Sequence, residues 1–241
     1  MRLDKFLVST GKISRSDAGR AARGGKITVN GIVEKKADRH IDPDKDVVTL
    51  HGERIVYRRY TYILLNKPAG YVSATEDGRD PTVLTLLPEE LQRIGLFPCG
   101  RLDKYTLGLM LLTNDGDLSP RLLSPRHHVE KRYAYTCRHP LSSEDMERLE
   151  GGVELEDGYV TKPARMLAED RSLSGIIILT EGKYHQIKRM FEAVDNKIET
   201  LERVTFGPLT LDPTLSRGEW RYLSDDEIAL LQSGTKGVDA L

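Results

Sequence analysis

The sequence is poor in cysteine: Cys99 and Cys137 stand alone, with no paired spacing. That excludes a disulfide framework and a cysteine-based zinc site, and it fits a reducing compartment, the cytoplasm. Long apolar runs are missing too. Ile176-Ile177-Ile178-Leu179 is typical of the longest, far short of the ~20 residues that cross a bilayer. The stretch after Met1-Arg2-Leu3-Asp4-Lys5 lacks the apolar core of a signal peptide, so no membrane association is expected. Neither a P-loop nor a glycine-rich dinucleotide loop occurs, which leaves nucleotide hydrolysis and hydride transfer without a motif. His127 and His128 are adjacent, but no carboxylate or further histidine follows at ligand spacing, and no metal site is expected there. There is no repeat of fixed period and no low-complexity segment, which sets solenoid folds aside.

What is present is a chain of 241 residues, 39% hydrophobic and 30% charged, the balance of a soluble globular protein with room for one large domain or two unequal ones. Its net charge of −1 hides an asymmetry. Met1 to Arg59 holds 14 Lys and Arg against 8 Asp and Glu, a net +6, which leaves −7 for the remainder. A basic front on an acidic body suggests that the front meets a polyanion. The body would then need a local groove of selected Lys and Arg to touch nucleic acid.

The front reads as a small α/β module. Leu3, Phe6 and Leu7 have helical spacing. Ser14-Arg15-Ser16-Asp17 has the form of a capping box. The helix it opens carries Arg15, Arg20 and Arg23, packs through Ala18, Ala21 and Ala22, and stops at Gly24-Gly25. Lys26-Ile27-Thr28-Val29 alternates as a strand, Asn30-Gly31 is a two-residue hairpin turn, and Val47 to Leu50 is a further strand.

Beyond Arg58-Arg59 the pattern changes. Tyr60 to Leu65 is a β-branched and aromatic strand ending in the turn Asn66-Lys67-Pro68-Ala69-Gly70. Thr82 to Leu91 reads as short helical pieces, and Leu118, Leu122 and Leu123 as a short helix. A strand follows with Tyr133 and Tyr135 on one face, then a polar helix from Glu144 to Leu149. Gly151 to Met166 reads as two short strands joined at Glu156-Asp157-Gly158. After the strand Ile176–Leu179 and the turn Glu181-Gly182, Ile187, Met190, Phe191 and Val194 form a helical apolar stripe that leaves Lys188 and Arg189 off it. Leu209 to Asp212 and Arg221 to Leu223 are strands, and Ser224 to Glu227 opens a last helix.

One stretch organises the body. Phe97-Pro98-Cys99-Gly100-Arg101-Leu102-Asp103-Lys104-Tyr105-Thr106 is a polar loop, Leu107 to Thr113 a strand-length apolar block, and Asn114-Asp115-Gly116 a turn that could close a hairpin. A polar loop beside a buried strand is where a reactive side chain is held. Asp103 is the candidate, and an Asp that satisfies loop amides is the alternative these residues leave open.

The front module, through Arg2 to Leu7, Ser14 to Ser16 and Gly25 to Gly31, resembles the S4 RNA-binding domain. Gly100-Arg101-Leu102-Asp103 with Thr106, Gly108 and Asp115-Gly116 is similar to the signature loop of the RsuA family of RNA pseudouridine synthases. Leu65 to Gly70, Ser124 to His128, Thr161 to Ala164 and Glu181 to Met190 extend the resemblance in order over nearly the whole chain. It implies an α+β protein: a small S4-like RNA-binding domain over 1–58, then a catalytic domain over 59–241 with a mixed, largely antiparallel sheet flanked by helices. It implies isomerisation of a uridine to pseudouridine in rRNA, with order and spacing favouring the small-subunit (16S) branch over the 23S branch. No cofactor or metal is needed, since the base is detached, rotated and rejoined through carbon. A cytoplasmic monomer acting on rRNA or an assembling ribosomal subunit is expected.

The resemblance also assigns roles. Asp103 becomes the nucleophile, toward the uracil ring or the sugar carbon. Lys188 takes the position of the cation beside it, where the family often has Arg. Tyr133 matches the tyrosine that stacks on the target base, and Arg101 the arginine that helps flip it. RNA contacts are expected from Arg15, Arg20, Arg23 and Lys26 in front and from Lys67, Arg101, Lys183 and Arg189 around the site. Tyr105, Arg132 and Asp195 depart from the family pattern. Asp195 stands where Gly is usual, a position suited to positive φ. The rival reading is a non-catalytic RNA-binding or ribosome-assembly factor, which has no need of a held carboxylate.

Overall fold

The computed structural model describes residues 1–124 and 129–233. The chain divides by packing into two compact units, Met1–Thr61 with Leu84–Phe97, and Tyr62–Val83 with Pro98–Leu241. The sequence boundary at 58 is a single cut, whereas the packing also assigns Leu84–Phe97 to the first unit. Pro125 to His128 lie outside the described residues, so the adjacent histidines have no structural account.

In the first unit, helices α1 (Leu3–Val8) and α2 (Arg15–Arg23) pack on a small sheet, and α3 (Glu89–Gln92) belongs to the same unit. The Ser14 side chain accepts the Asp17 N–H and starts α2, a cap contributing about 1 kcal/mol. The sheet has the order β2-β1-β3-β4, all antiparallel: β1 (Ile27–Val29), β2 (Ile32–Val33), β3 (Val48–Leu50) and β4 (Glu53–Arg54). Asn30 and Gly31 take φ of 54° and 81°, the two positive angles a tight hairpin turn of the strands' twist requires. Leu3, Phe6, Leu7, Ala18, Ala22, Ile27, Val29 and Val48 close the core, each of the large side chains contributing about 1.5–3 kcal/mol by burial. Arg15, Arg20, Arg23 and Lys26 are all exposed, and Arg20 pairs with Asp17.

The second unit is built on one mixed sheet. Its strands are β5 (Tyr62–Lys67), β7 (Leu107–Thr113), β8 (Lys131–Cys137), β9 (Arg165–Leu167), β10 (Ser174–Leu179), β11 (Ile198–Phe206), β12 (Leu209–Thr210) and β13 (Trp220–Tyr222), with the short β6 (Phe97–Pro98) at the unit boundary. The main path runs β13-β5-β7-β11-β8-β10-β9, and β12 pairs with β11. Only β7 and β11 run parallel along this path. Helices α4 (Leu118–Leu123), α5 (Ser143–Gly151), α6 (Gln186–Glu192) and α7 (Asp225–Ser233) complete the unit. Ile63, Leu64, Leu65 and Leu109 to Leu112 are fully buried. Central strands covered on both faces read as such continuous apolar runs.

Two local expectations are corrected. Asn114-Asp115-Gly116 closes no hairpin: the chain turns into α4, and β7 pairs instead with β5 and β11. Asp115 caps the helix start, accepting from the Asp117 and Leu118 amides while Tyr62 Oη donates to its other oxygen at 2.7 Å. Gly151 to Met166 is not two strands. Glu154 and Val160 form an isolated bridge about the turn at Gly158, and the strand is β9. Asp195 does adopt a left-handed φ of 55°.

Candidate active site

Asp103 lies in the loop that leads into β7, and main-chain contacts hold that loop. Ser73 Oγ donates to the Leu102 carbonyl at 2.8 Å and accepts the Leu102 N–H at 3.0 Å. The Gly70 N–H donates to the Lys104 carbonyl, and the Thr106 N–H to the Asp103 carbonyl. Lys67, at the end of β5, reaches behind the loop. Its ammonium donates to the carbonyls of Pro68, Asp103 and Lys104 at 3.1 Å and of Thr106 at 2.9 Å. Lys104 is anchored to Asp80 at 2.6 Å. A side chain on so pinned a backbone loses little entropy when it meets a substrate.

The loop runs straight into the parallel contact of β7 with β11. Gly108 has φ of 94°, and a Cβ there would lie 2.4 Å from the Arg203 carbonyl oxygen. Only glycine admits this approach.

From the other side comes α6, seated by its buried stripe Ile187, Met190 and Phe191. Phe191 packs edge-on against Tyr135 with centroids 4.9 Å apart. This leaves Lys188 facing Asp103, Nζ to Oδ2 2.9 Å. His185, which caps α6 in a left-handed conformation at φ 48°, places Nε2 3.5 Å from Asp103 Oδ1. The turn before α6 is fixed by the buried Glu181, whose Oε1 accepts from Gln186 Nε2 and the Lys162 N–H and whose Oε2 accepts from Tyr159 Oη. Gln186 Oε1 in turn accepts the Lys183 N–H.

A cavity of about 1040 Å³ opens over the Asp103–Lys188 pair. Tyr133 reaches it from β8 and Arg101 and Lys183 from its edges, so these three expected residues share one site with Asp103 and Lys188. Its basic lining residues are Arg101, Lys104, Lys131, Lys183, Lys188 and Arg203, against the three carboxylates Asp77, Asp103 and Glu181. The lining of this cavity thus holds more basic than acidic side chains, within a body whose net charge is negative. Two expected residues lie elsewhere. Lys67 is fully buried, so its assignment as an RNA contact is corrected: it anchors the loop from behind. Arg189 pairs with Asp157 at 2.8 Å and does not line the cavity.

Lys131 and Arg203 were not singled out from the sequence. Arg203 is 1% exposed, donates through Nε to the Leu109 carbonyl, and lies over the Phe206 ring at 4.8 Å. Lys131 donates to the Val129 carbonyl. Burial pulls the Lys131 ammonium down to about 8, helped by the Arg203 charge. Burial likewise pulls Lys67 down to about 8, with Asp103 opposing. The available signal was strand alternation: Lys131, Tyr133 and Tyr135 share the inward face of β8.

Residues 61–193 match the model of the RNA pseudouridylate synthase family, and residues 1–48 that of the S4 domain. A Bacillus subtilis (strain 168) relative named "Uncharacterized RNA pseudouridine synthase YtzG" is 45% identical over 96% of this chain and 98% of its own. The Escherichia coli (strain K12) "Ribosomal small subunit pseudouridine synthase A" is 41% identical over 95% of this chain and 99% of its own. A solved structure, "Crystal structure of pseudouridylate synthase", superposes with a TM-score of 0.68 at 36% identity, covering 96% of this chain and 99% of that one. With that model matched over more than half of the chain, and relatives at 45% and 41% identity spanning nearly all of it, the chain belongs to the RNA pseudouridylate synthase family.

Proposed function

We propose that the protein converts one uridine of small-subunit (16S) rRNA, free or in an assembling particle, to pseudouridine. The observation that carries the reading is the Asp103–Lys188 pair at 2.9 Å inside a cavity large enough for a flipped-out nucleotide. The near-full-length identity to a relative named for the small subunit supports the choice of RNA.

In this reading Asp103 is the nucleophile, attacking either the ring or C1′ of the target. The N1–C1′ bond breaks, the uracil turns, the C5–C1′ bond forms, and a proton passes from C5 to N1. Nothing enters or leaves in net. Lys188 balances the carboxylate charge and orients it, and the Lys67 anchor keeps it from following the base as the base rotates. Tyr133 stacks on the uracil. Arg101 fills the place of the extruded nucleotide, offsetting an unstacking cost of a few kcal/mol. Arg15, Arg20, Arg23 and Lys26 contact RNA phosphates, and such contacts weaken with salt. Bacterial rRNA as substrate puts the activity in the cytoplasm, and the protein acts as a monomer.

The test is a pseudouridine map of rRNA, by carbodiimide modification and reverse transcription, from cells with and without the gene. One 16S position should lose its signal in the deletion and regain it with the wild-type gene. A lost 23S position would move the substrate to the large subunit, and an unchanged map would defeat the catalytic reading.

A further inference from the structure

Tyr184 is 73% exposed on the rim of the cavity that holds Asp103. A lone exposed aromatic needs no explanation, but this one is held. Its ring lies on the His185 imidazole with centroids 3.9 Å apart and planes at 17°. His185 in turn adopts the left-handed φ of 48°, unfavourable for a residue with a side chain, and sets Nε2 3.5 Å from Asp103 Oδ1. Tyr184, His185 and the carboxylate thus form a column rising from the reactive group to solvent. The outer Tyr184 face has no ring partner, and the phenol makes no hydrogen bond among the described residues. Lys183, next in the chain and also lining the cavity, places its ammonium over the Tyr159 ring at 4.5 Å.

We propose that the outer face of Tyr184 is a stacking platform for an unpaired base of the substrate RNA next to the target uridine. This rests on the RNA-isomerising reading above. Extruding a nucleotide exposes the faces of its strand neighbours, which lose their stacking partner. An aromatic ring at the mouth of the same cavity replaces that partner, and stacking of this kind tolerates any base because every base has a π-face. Tyr184 is a binding residue here, and His185 is the ring it rests on.

The experiment compares wild type with Tyr184→Ala, Tyr184→Phe and Tyr184→Trp on a full-length 16S rRNA transcript, by filter-binding Kd and by kcat and KM for pseudouridine formation. Tyr184→Ala should raise Kd and KM by roughly tenfold, the weight of one stacked base, with kcat within about twofold of wild type. Tyr184→Phe and Tyr184→Trp should stay within about twofold in all three, because they keep the ring. A Tyr184→Ala protein that binds as wild type overturns the platform. So does a Tyr184→Phe protein as weak as Tyr184→Ala, which would assign the effect to the hydroxyl. If the wild type forms no pseudouridine either in the transcript or in small-subunit assembly particles, the substrate reading fails, and the Kd comparison still judges the platform.

Discussion

Lys188 and Asp103 meet at 2.9 Å although one comes from a helix near the end of the family-matched region and the other from a loop before β7. If Asp103 is the nucleophile and Lys188 its counter-charge, the two should fail differently. Asp103→Asn should bind RNA as wild type and lose about three orders of magnitude or more in kcat. Lys188→Met should lose about a hundredfold, and Lys188→Arg should keep most activity, since a guanidinium serves a carboxylate at least as well as an ammonium. Single-turnover kinetics beside RNA binding make the comparison. Full activity in Asp103→Asn would remove Asp103 from the chemistry.

Lys67 supplies a second prediction. Lys67→Met removes the ammonium's contacts with four main-chain carbonyls; those of Asp103 and Lys104 keep an amide donor, and that of Thr106 is left buried. The expected cost is about 2–4 kcal/mol in denaturant unfolding, together with a kcat loss. RNA affinity should not change in the folded variant, because the ammonium does not reach the surface. A selective loss of affinity would restore the phosphate-contact assignment.

Gly108→Ala should destabilise by about 2 kcal/mol or more, because the new Cβ meets a carbonyl at 2.4 Å and φ is 94°. Gly116→Ala is the control. A Cβ there meets nothing within 4 Å and its φ is not positive. Matching melting temperatures for the two variants would contradict the tight β7–β11 contact.

Lys131 predicts a dependence on pH. An unfolded lysine titrates near 10.5, and burial sets Lys131 at about 8 in the native state. Between those values the unfolded chain keeps a proton that the native chain has released, so rising pH favours the native state; below about 8 the cost of burying the charge is present in full. The stability difference, Lys131→Met minus wild type, should therefore shrink as pH rises from about 7.5 to 9.5 in chemical denaturation. A constant difference would show that burial does not shift this lysine.

Much of this fold is readable from short stretches because its signals are local. Asn30-Gly31 demands a hairpin wherever it stands between alternating strands, and the Ile187–Met190–Phe191 stripe identifies both α6 and the face left to Lys188. What was misread depends on distant partners. Asn114-Asp115-Gly116 has the chemistry of a hairpin turn and of a helix entry alike, and only the arrival of β11 beside β7 decides between them. Lys67 has the sequence context of a surface charge, and its burial follows from carbonyls contributed by residues 103 to 106. Among the site residues, Asp103, Tyr133 and Lys188 were visible through a motif. Lys131 and Arg203 were hidden because a charge at an inward strand position is ordinarily taken for an edge.

The Lys67 anchor recognises oxygens that every residue type possesses. A grip of that kind is blind to side-chain identity, so a substitution at the exposed Tyr105 can redraw the outer face of the loop without shifting the carboxylate two positions earlier. Target preference and reaction geometry can then diverge independently: one enzyme could acquire a new address in the ribosome by changing the outward half of a loop whose inward half stays in place.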